Sequence, residues 1–558
     1  MTDKVWFDHY PEGVPKTIDT SQYSSLVDII EESFDKNRNQ DAYSNMGVTM
    51  TYAELDQYSA WFASYLQNTL HLKAGSRVAI MMPNVLQYPI ALYGILRAGM
   101  VAVNVNPLYT ARELKHQLND SGAEAMIILA NFANVLEEVI DDTPIRRVIE
   151  TEIGDMFPWP KRSIVNFMVK YVKRMVPKYD LPNSDSFQNV MAKGKMQAHT
   201  RAELTLDDIA LLQYTGGTTG VSKGAVLTHG NMVSNVIQAE HWFKPLLKSS
   251  NEAIITALPL YHIFSLTANC LLFTKLGGLS ILITNPRDMK GFVETLKSTR
   301  FTCITGVNTL FNALANTPGI EDVDWSQVRM SFAGGMAAQE AVAKKWQELT
   351  GTVLIEGYGL TETSPAAIVN PMDATEFSGT IGVPISSTDV AIRDNNNNDV
   401  PFGESGEVCI KGPQVMRGYW QRPDETAEVI DENGYFKTGD IGVMDERGFV
   451  KLVDRKKDMI LVSGFNVFPN ELEEVIAHHP GILEVAAIGV PDVHSGEVVK
   501  IFVVPKDESL TEQDVMDYCR ENLTGYKRPK HIEFMAELPK TNVGKVLRKE
   551  LRARENAS

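Results

Sequence analysis

The sequence predicts an α/β protein with a large N-terminal domain and a small α+β domain at its C-terminus. Between residues 25 and 309, short apolar runs alternate with longer helix-like segments, which is typical of βαβ units and parallel sheets. Between 379 and 453, short alternating strands separated by polar turns favour a β-rich, barrel-like region. After residue 454 the pattern becomes α+β, and 558 residues exceed what one core usually organises. We therefore expect domains of 1–454 and 455–558, the larger containing two βαβ-type sheet subdomains and the barrel-like subdomain.

The individual elements follow from local patterns. Apolar β-like runs of about five residues alternate with amphipathic helical segments that end near glycine. The strands are predicted at 78–82, 101–105, 125–129, 253–257, 279–283 and 303–306, and the helices at 87–98 and 111–119. In the C-terminal domain, Asn470 is predicted to cap a helix whose third residue is Glu473, with Pro480 and Gly481 ending it.

Composition excludes several classes of protein. The formal net charge of −17 argues against general nucleic-acid binding, which needs clustered Lys and Arg. The four cysteines are scattered and are expected to be buried, reduced thiols. No export signal is visible at the N-terminus, and no run of 18 apolar residues is present. We expect a cytoplasmic protein that does not span a membrane.

Residues 214–225 (YTGGTTGVSKGA) are the most informative segment. Glycines allow the backbone to approach an anion closely, while hydroxyls, amides and Lys223 supply donors and a positive charge. The spacing differs from the Walker loop, because Lys223 lies three residues after Gly220 and is followed by glycine. A flexible linker is the alternative, but such a linker rarely carries this lysine and Thr-Thr pair between apolar runs. The segment predicts a phosphate-binding loop.

Further motifs place polar groups next to glycine turns. An aromatic ring between glycines, as at Tyr358, can stack on a base, and a carboxylate such as Glu362 can bind Mg²⁺. A carboxylate fixed in a turn, such as Asp440, suits ribose hydroxyls. Each motif alone is more often made of ordinary core or solvated turn residues. The segments are 332–336 (FAGGM), 355–362 (IEGYGLTE), 435–440 (YFKTGD), 454–458 (DRKKD) and 539–545 (PKTNVGK).

Taken together and in this order, these motifs resemble the adenylate-forming enzymes, which include acyl-CoA synthetases, firefly luciferase and peptide-synthetase adenylation domains. Within that family, residues 433–442 and 453–469 are similar to the characteristic block of bacterial long-chain fatty acid–CoA ligases. The resemblance extends from about residue 28 to 552. It implies a fatty acid:CoA ligase that first forms acyl-AMP and pyrophosphate from ATP, and then transfers the acyl group to CoA.

The resemblance also implies roles for single residues. Catalysis is assigned to Lys545, Thr361 and Glu362, with Glu362 as the Mg²⁺ ligand. ATP binding is assigned to Thr215, Gly216, Gly217, Thr218, Thr219, Gly220 and Lys223 at the phosphates, to Gly334, Gly335, Met336 and Tyr358 at the adenine, and to Asp440 and Arg455 at the ribose. The small domain is implied to rotate about Lys457 and to present Ser463, Gly464, Phe465 and Asn466 for the CoA step. Mg²⁺ is the implied cofactor, and ATP and CoA are co-substrates.

The acyl chain requires an apolar pocket. Residues 258–265 and 306–311 occupy the family's pocket-lining positions, although their composition is also that of ordinary core. The resemblance assigns the pocket to His262, Phe264, Gly306 and Val307. Trp242 is a candidate for an aromatic gate.

Residues 159–179 form a basic island that carries six Lys or Arg residues and no acid. On a helical wheel, Ile164, Met168, Tyr171, Val172 and Met175 share one face, with Lys170, Lys173 and Arg174 opposite. A basic amphipathic helix of this kind fits an anionic membrane surface. The alternative is a helix whose apolar face docks on the protein's own core.

The resemblance implies a long-chain fatty acid:CoA ligase, which we expect to be cytoplasmic and attached peripherally to the inner membrane. Two alternatives stay open. One is a fatty acyl-AMP ligase that loads a carrier protein, and the other is a non-catalytic, membrane-associated fatty-acid binding protein. The sequence leaves open whether the protein forms a homodimer and which acyl chain lengths it accepts.

Overall fold

The computed structural model describes residues 4–215, 222–247, 252–463, 465–492, 494–507, 509–541 and 544–555. Its strands are, in chain order, β1 (Asp41–Asn45), β2 (Val48–Thr51), β3 (Arg77–Met81), β4 (Val101–Asn104), β5 (Ala125–Leu129), β6 (Arg147–Thr151), β7 (Ser184–Ser186), β8 (Ile209–Thr215), β9 (Lys223–Thr228), β10 (Ala253–Thr256), β11 (Leu279–Leu282), β12 (Cys303–Gly306), β13 (Met330–Gly334), β14 (Leu354–Gly359), β15 (Ala366–Val369), β16 (Val383–Pro384), β17 (Asp389–Arg393), β18 (Ser405–Lys411), β19 (Phe436–Met444), β20 (Val450–Arg455), β21 (Ile460–Val462), β22 (Phe465–Val467), β23 (Ile482–Asp492), β24 (Gly496–Pro505) and β25 (His531–Phe534).

The α-helices connect these strands. They are α1 (Leu26–Lys36), α2 (Tyr52–Ser64), α3 (Gln87–Arg97), α4 (Ala111–Ser121), α5 (Ala133–Glu137), α6 (Lys161–Phe167), α7 (Phe187–Gly194), α8 (His229–Phe243), α9 (Ile263–Ser265), α10 (Leu272–Leu276), α11 (Met289–Ser298), α12 (Asn308–Ala315), α13 (Glu340–Thr350), α14 (Pro423–Val429), α15 (Pro469–Ala477), α16 (Glu512–Asn522) and α17 (Arg548–Glu555). Within the described ranges, no helix has both the length and the apolar character needed to cross a bilayer.

Two large mixed sheets form the N-terminal part. One has seven strands in the order β7-β6-β5-β3-β4-β8-β9, parallel except for the β8–β9 hairpin. The other has nine strands in the order β16-β15-β14-β13-β12-β10-β11-β1-β2, with a parallel centre and antiparallel strands at both ends. Buried apolar side chains cover both faces of the parallel strands, as βαβ units require. The predicted strands and helices of this region are confirmed.

The region after β16 differs from the prediction. Strands β17 to β20 form an open antiparallel sheet in linear order, and the described outer strands do not pair with each other. The predicted β-rich region is therefore an open four-stranded sheet, and its barrel-like closure is not found among the described strands. Each strand pairs with the next one along the chain, although residues 412–435 with α14 separate β18 from β19. The turn signals of the sequence indicated the strands without indicating whether the sheet closes.

The C-terminal residues form a separate α+β unit around a five-stranded sheet of β21 to β25. In its helix α15, the N-cap differs from the predicted Asn470. Phe468 is the N-cap and Pro469 the first helical residue, where a fixed φ and a missing N–H are tolerated. Asn470 instead donates its backbone N–H to Asp454 Oδ2 (2.8 Å), and Glu473 accepts the backbone N–H of Ala487. The division at residue 454 stays a prediction.

The interior is packed in several apolar clusters between sheets and helices. All four cysteines are buried and unbridged, as expected from their scattered positions. Burial raises the pKa of the Cys270 thiol to about 11, so it stays protonated and packs as a small apolar group.

Candidate active site

A cavity of about 90 Å³ lies at the carboxyl edge of the nine-stranded sheet. The parallel pairing of β13 and β14 places Gly334 beside Gly357, so the glycine turn after one strand faces the aromatic segment of the next. The lining includes Gly334, Gly335, Gly357, Tyr358, Gly359, Leu360, Thr361, Pro365 and Lys545, together with residues of α8 and of the segment 262–268. Residues from three separate motifs therefore line one cavity.

Tyr358 connects this cavity to the four-stranded sheet. Its buried hydroxyl donates a 2.6 Å hydrogen bond to Asp440 Oδ2. Asp440 is paired across the β19–β20 ladder with Arg455, whose Nε lies 3.4 Å from Asp440 Oδ1. Burial, followed by the charge of Asp440, raises the pKa of Tyr358 well above its usual value, so the phenol stays a donor. The two residues assigned to the ribose thus form one ion pair beside the ring assigned to the adenine.

Glu362 lies in a short 3₁₀ turn directly after the aromatic segment and is buried. The Tyr419 hydroxyl donates a 2.8 Å hydrogen bond to Glu362 Oε1. Burial raises the pKa of Glu362, and the bond from Tyr419 and the charge of Arg455 oppose that shift. Within the described residues no group of three His, Cys, Asp or Glu could hold a metal by itself. A single carboxylate fits Mg²⁺ in the mode where substrate phosphates complete the coordination.

Lys545 reaches the cavity from the C-terminal unit. The preceding Gly544 has φ +81°, and its carbonyl accepts a 3.2 Å hydrogen bond from Thr309 Oγ1 on α12. A second contact between the units runs from Asn312 Nδ2 to the carbonyl of Leu483 (3.2 Å). These contacts hold the Lys545 loop and the C-terminal unit against helix α12.

The electrostatics around Lys545 are mixed. Burial of the ammonium, followed by the charge of Arg455, lowers the pKa of Lys545 to about 8, while Asp440 and Glu362 oppose that shift. The amine is therefore charged at neutral pH but close to its titration point. A carboxylate or phosphate oxygen entering the cavity would favour the charged form.

The predicted phosphate loop is held by the β8–β9 hairpin. Thr215 pairs with Lys223 at the end of the ladder. Gly216, Gly217, Thr218, Thr219 and Gly220 lie outside the described residues. The Lys223 ammonium forms an ion pair with Glu425 and lies 5.1 Å from the centre of the Tyr419 ring. Because Tyr419 also bonds to Glu362, it connects the phosphate-loop lysine to the carboxylate assigned to Mg²⁺.

The apolar end of the cavity is formed by Trp242, Phe243, Phe264 and Phe332. Trp242 Nε1 donates to the carbonyl of Asn370 (3.1 Å), which fixes the indole. His262 also lines the cavity. Burial, followed by the nearby Lys545, lowers the pKa of His262 to about 3, and its Nδ1 accepts the N–H of Phe264 (3.3 Å). The imidazole is therefore neutral and lies near both Phe264 and Lys545.

Two residues assigned to the acyl pocket do not line this cavity. A β-carbon on Gly306 would lie 2.9 Å from the Phe311 ring, so this glycine allows α12 to pack against β12. Val307 packs instead toward Gly544 and Gly335. Met336 is also absent from the cavity lining and packs against the apolar cluster that contains Phe264 and Tyr358. The sequence pattern predicts the place of these residues at or after the end of a strand, but that place alone does not fix what a side chain contacts.

Sequence reasoning missed four residues near the site. Asn235 and Ala239 line the cavity from α8, and Tyr419 and Glu425 surround Lys223. The spacing of Asn235, Ala239 and Trp242 places them on one helical face, which could have identified the first two. No local pattern indicates Tyr419 or Glu425.

The residues assigned to the CoA step lie elsewhere. Ser463 has φ +49° and Phe465 is 56% exposed, stacked on Tyr526 with ring centres 4.7 Å apart. Neither lines the cavity. Gly464 and the side chain of Asn466 lie outside the described residues. Lys457 lies in an exposed turn between β20 and β21. This turn joins the four-stranded sheet to the five-stranded sheet of the C-terminal unit.

The chain is similar to known proteins along nearly its whole length. The long-chain-fatty-acid–CoA ligase of Escherichia coli O6:H1 is 57% identical over 549 residues, which cover 98% of each chain. That of Haemophilus influenzae is 54% identical over 557 residues, covering 100% of this chain and 99% of the relative. The ATP-bound structure of MatB from Rhodopseudomonas palustris superposes with a TM-score of 0.82 at 26% identity, covering 95% of this chain and 98% of MatB. The apo form of MatB gives 0.71.

Family comparison covers both parts of the chain. Residues 30–420 match the AMP-binding enzyme family, and residues 471–545 match the AMP-binding enzyme C-terminal domain. The first range contains the glycine turns and Tyr358, and the second ends at Lys545, whereas Asp440 and Arg455 lie between the two ranges. The chain belongs to the AMP-binding enzyme family.

Proposed function

We propose that this chain is an AMP-forming long-chain-fatty-acid–CoA ligase that uses ATP and CoA. Relatives of 54–57% identity with that activity align with nearly its whole length. One structural observation carries the proposal. A single cavity is aromatic and apolar at Trp242 and Phe243, and becomes polar at Thr361 and Lys545. This gradient matches a fatty acid whose chain is buried and whose carboxylate faces a nucleotide.

In the first half-reaction, a carboxylate oxygen of the acid attacks the α-phosphorus of ATP. The bond from that phosphorus to the bridging oxygen breaks, and pyrophosphate leaves with its electron pair. Lys545 neutralises the two approaching anions, and Thr361 orients the α-phosphate. Such electrostatic positioning accounts for most of the rate enhancement expected here, since no protein nucleophile is needed.

The nucleotide is held by the remaining residues. Gly334 and Gly335 approach the adenine edge, Tyr358 stacks on the base, and the Asp440–Arg455 pair binds the ribose hydroxyls. Lys223 and the loop that precedes it hold the β- and γ-phosphates. Mg²⁺, bound by Glu362, would supply further charge neutralisation at the phosphates.

In the second half-reaction, the thiolate of CoA attacks the acyl carbon of acyl-AMP. A thioester forms, the carbon–oxygen bond to phosphate breaks, and AMP leaves. We propose that the C-terminal unit turns about Lys457, withdraws Lys545 and presents Ser463 to Asn466. The higher TM-score with ATP-bound than with apo MatB supports assigning the present arrangement to the first half-reaction.

We also propose that the enzyme works in the cytoplasm, peripherally at the inner membrane. Long-chain acids partition into bilayers, so an enzyme positioned at the surface meets its substrate at a high local concentration.

The test measures fatty-acid-dependent pyrophosphate release across acids from acetate to oleate, followed by thioester formation with free CoA. We expect release with long-chain acids and a CoA thioester as the product. A carrier-loading ligase would release pyrophosphate without forming the thioester, and a binding protein would do neither. Either result would refute the proposal, and the variant Lys545→Ala serves as the control for contaminating activity.

A further inference from the structure

The helical segment after β6 presents an apolar surface to solvent. It consists of α6 and a continuous π-helical turn, Met168–Val172. Trp159 is 77% exposed, Phe167 57% and Tyr171 61%. Ile164, Met168, Val172 and Met175 are exposed on the same side. Scattered exposed apolar residues are ordinary, but seven in one segment form a patch that marks an interaction surface.

The opposite side of this helix is occupied by the protein itself. Val165 and Val169 pack against the main apolar core. Asn166 accepts the N–H of Gly154 (2.8 Å) and donates to Asp155 Oδ1 (3.2 Å). The helix is therefore docked through its own inner face, and its apolar outer face is left for another partner. The alternative of a helix docked on the protein's own core therefore holds for Val165 and Val169, whereas the apolar face identified on the helical wheel is exposed.

The charges around the patch identify the partner. The segment 159–179 carries six cations and no acid, in a chain whose net charge is −17. Lys173, Arg174 and Lys178 are exposed beside the patch. The acids that contact the segment include Glu152, 3.8 Å from Lys170, Asp155, which accepts from Asn166, and Glu150, which accepts the Tyr179 hydroxyl (2.6 Å). Apolar and aromatic side chains ringed by cations complement an anionic bilayer, where rings enter the interface and cations meet phosphate groups.

We propose that α6 and the π-helical turn, residues 161–172 and here named the docking helix, insert into the surface of an anionic membrane together with the flanking residues 159–160 and 173–178. The helix lies in the plane of the surface, with Trp159, Phe167 and Tyr171 in the interface and Lys173 and Arg174 at lipid phosphates. The benefit of this docking for substrate supply rests on the proposed ligase function, whereas the binding itself does not.

The first experiment is co-sedimentation of the full chain with vesicles of phosphatidylcholine containing phosphatidylglycerol, and with phosphatidylcholine alone. Wild type is expected to bind the anionic vesicles preferentially. The triple variant Phe167→Ser/Tyr171→Ser/Val172→Ser and the triple variant Lys170→Glu/Lys173→Glu/Arg174→Glu should each bind about a hundredfold more weakly. The matched charge control, Lys73→Glu/Lys290→Glu/Arg300→Glu, changes exposed cations elsewhere and should bind nearly as wild type.

A second measurement locates the contact. Trp159 is the one exposed tryptophan among the described residues, so brominated lipid should quench its fluorescence on binding. Trp159→Phe should keep vesicle binding and lose that quenching. Equal binding of wild type and both triple variants, or wild type remaining in the supernatant, would overturn the proposal. So would a lipid-free dimer that the serine variant abolishes, because a second copy would then cover the patch.

Activity separates this proposal from the ligase assignment. With acid supplied in detergent micelles, the docking variants should release pyrophosphate at the wild-type rate. With acid supplied in anionic vesicles, their rate should fall with their binding. If neither the wild type nor the docking variants release pyrophosphate, the ligase assignment fails, while the sedimentation result still stands.

Discussion

The Tyr358 hydroxyl donates a 2.6 Å hydrogen bond to Asp440 Oδ2, and this bond joins the nine-stranded sheet to the four-stranded sheet. Tyr358 lies near the end of β14, and Asp440 lies in the middle of β19, 82 residues later in the chain. The bond fixes the ring assigned to the adenine and the carboxylate assigned to the ribose in one arrangement. ATP should therefore find this part of its site preorganised.

Tyr358→Phe tests that preorganisation. Phenylalanine keeps the ring but removes the donor, which leaves the buried Asp440 oxygen without this partner. Since hydrogen bonds to charged groups contribute about 1.5–3 kcal/mol, we expect the KM for ATP to rise roughly 10- to 100-fold. The KM for the fatty acid should change little. An unchanged KM for ATP would show that the bond does not position the nucleotide.

Lys545→Ala separates the two half-reactions. The variant removes the cation between the approaching anions, so fatty-acid-dependent pyrophosphate release should fall by about 10²–10³-fold. Thioester formation from supplied acyl-AMP and CoA should be spared, because Lys545 has no role in that step. Equal loss of both half-reactions would contradict the two-arrangement mechanism.

The pH profile of adenylation should report the same lysine. Burial lowers the pKa of Lys545 to about 8, and the charged ammonium is the active form. As pH rises through 8 the amine loses its proton, so kcat/KM for ATP should fall about tenfold per unit above that point. Lys545→Arg keeps its charge throughout and should give a flat profile there, at a lower rate. A wild-type profile that is level to pH 10 would exclude this assignment.

How far the sequence predicts the site depends on whether a role resides in a local motif. Gly334, Tyr358 and Lys545 belong to glycine-rich or aromatic segments, and the parallel register that unites them follows from the βαβ pattern. Tyr419 and Glu425 lie in an ordinary surface segment, and only tertiary contact brings them to Lys223. Side-chain direction was the other limit, since Val307 turns toward Gly544 whereas the docking helix turns its apolar face outward.

Glu425→Gln tests the ion pair between Glu425 and Lys223. In the structure Glu425 competes for the ammonium that the proposed mechanism offers to the ATP phosphates. Both side chains are about one third exposed, so solvent screens the pair and its loss should have a small effect. We expect the KM for ATP to fall about threefold. Glu428→Gln, on the same helix and exposed, makes the same charge change and should leave the KM unchanged.

Gly544→Ala tests the contact that brings Lys545 into the cavity. Gly544 has φ +81°, and a β-carbon there would lie 2.5 Å from Thr309 Oγ1 and 3.0 Å from Val307 Cγ2. The backbone strain costs about 1–2 kcal/mol, and the clash displaces the loop further. Pyrophosphate release should therefore fall at least tenfold, while thioester formation from acyl-AMP continues.

The double variant Thr309→Ala/Gly544→Ala removes the closest of these clashes but keeps the backbone strain. It should recover part of the lost adenylation rate, whereas Thr309→Ala alone, which loses only the 3.2 Å hydrogen bond to the Gly544 carbonyl, should lower the rate slightly. If Gly544→Ala depressed both half-reactions equally, the damage would lie in the stability of the C-terminal unit, and a lowered melting temperature would accompany it. Loss confined to adenylation, with partial rescue, is the result that a docked Lys545 loop requires.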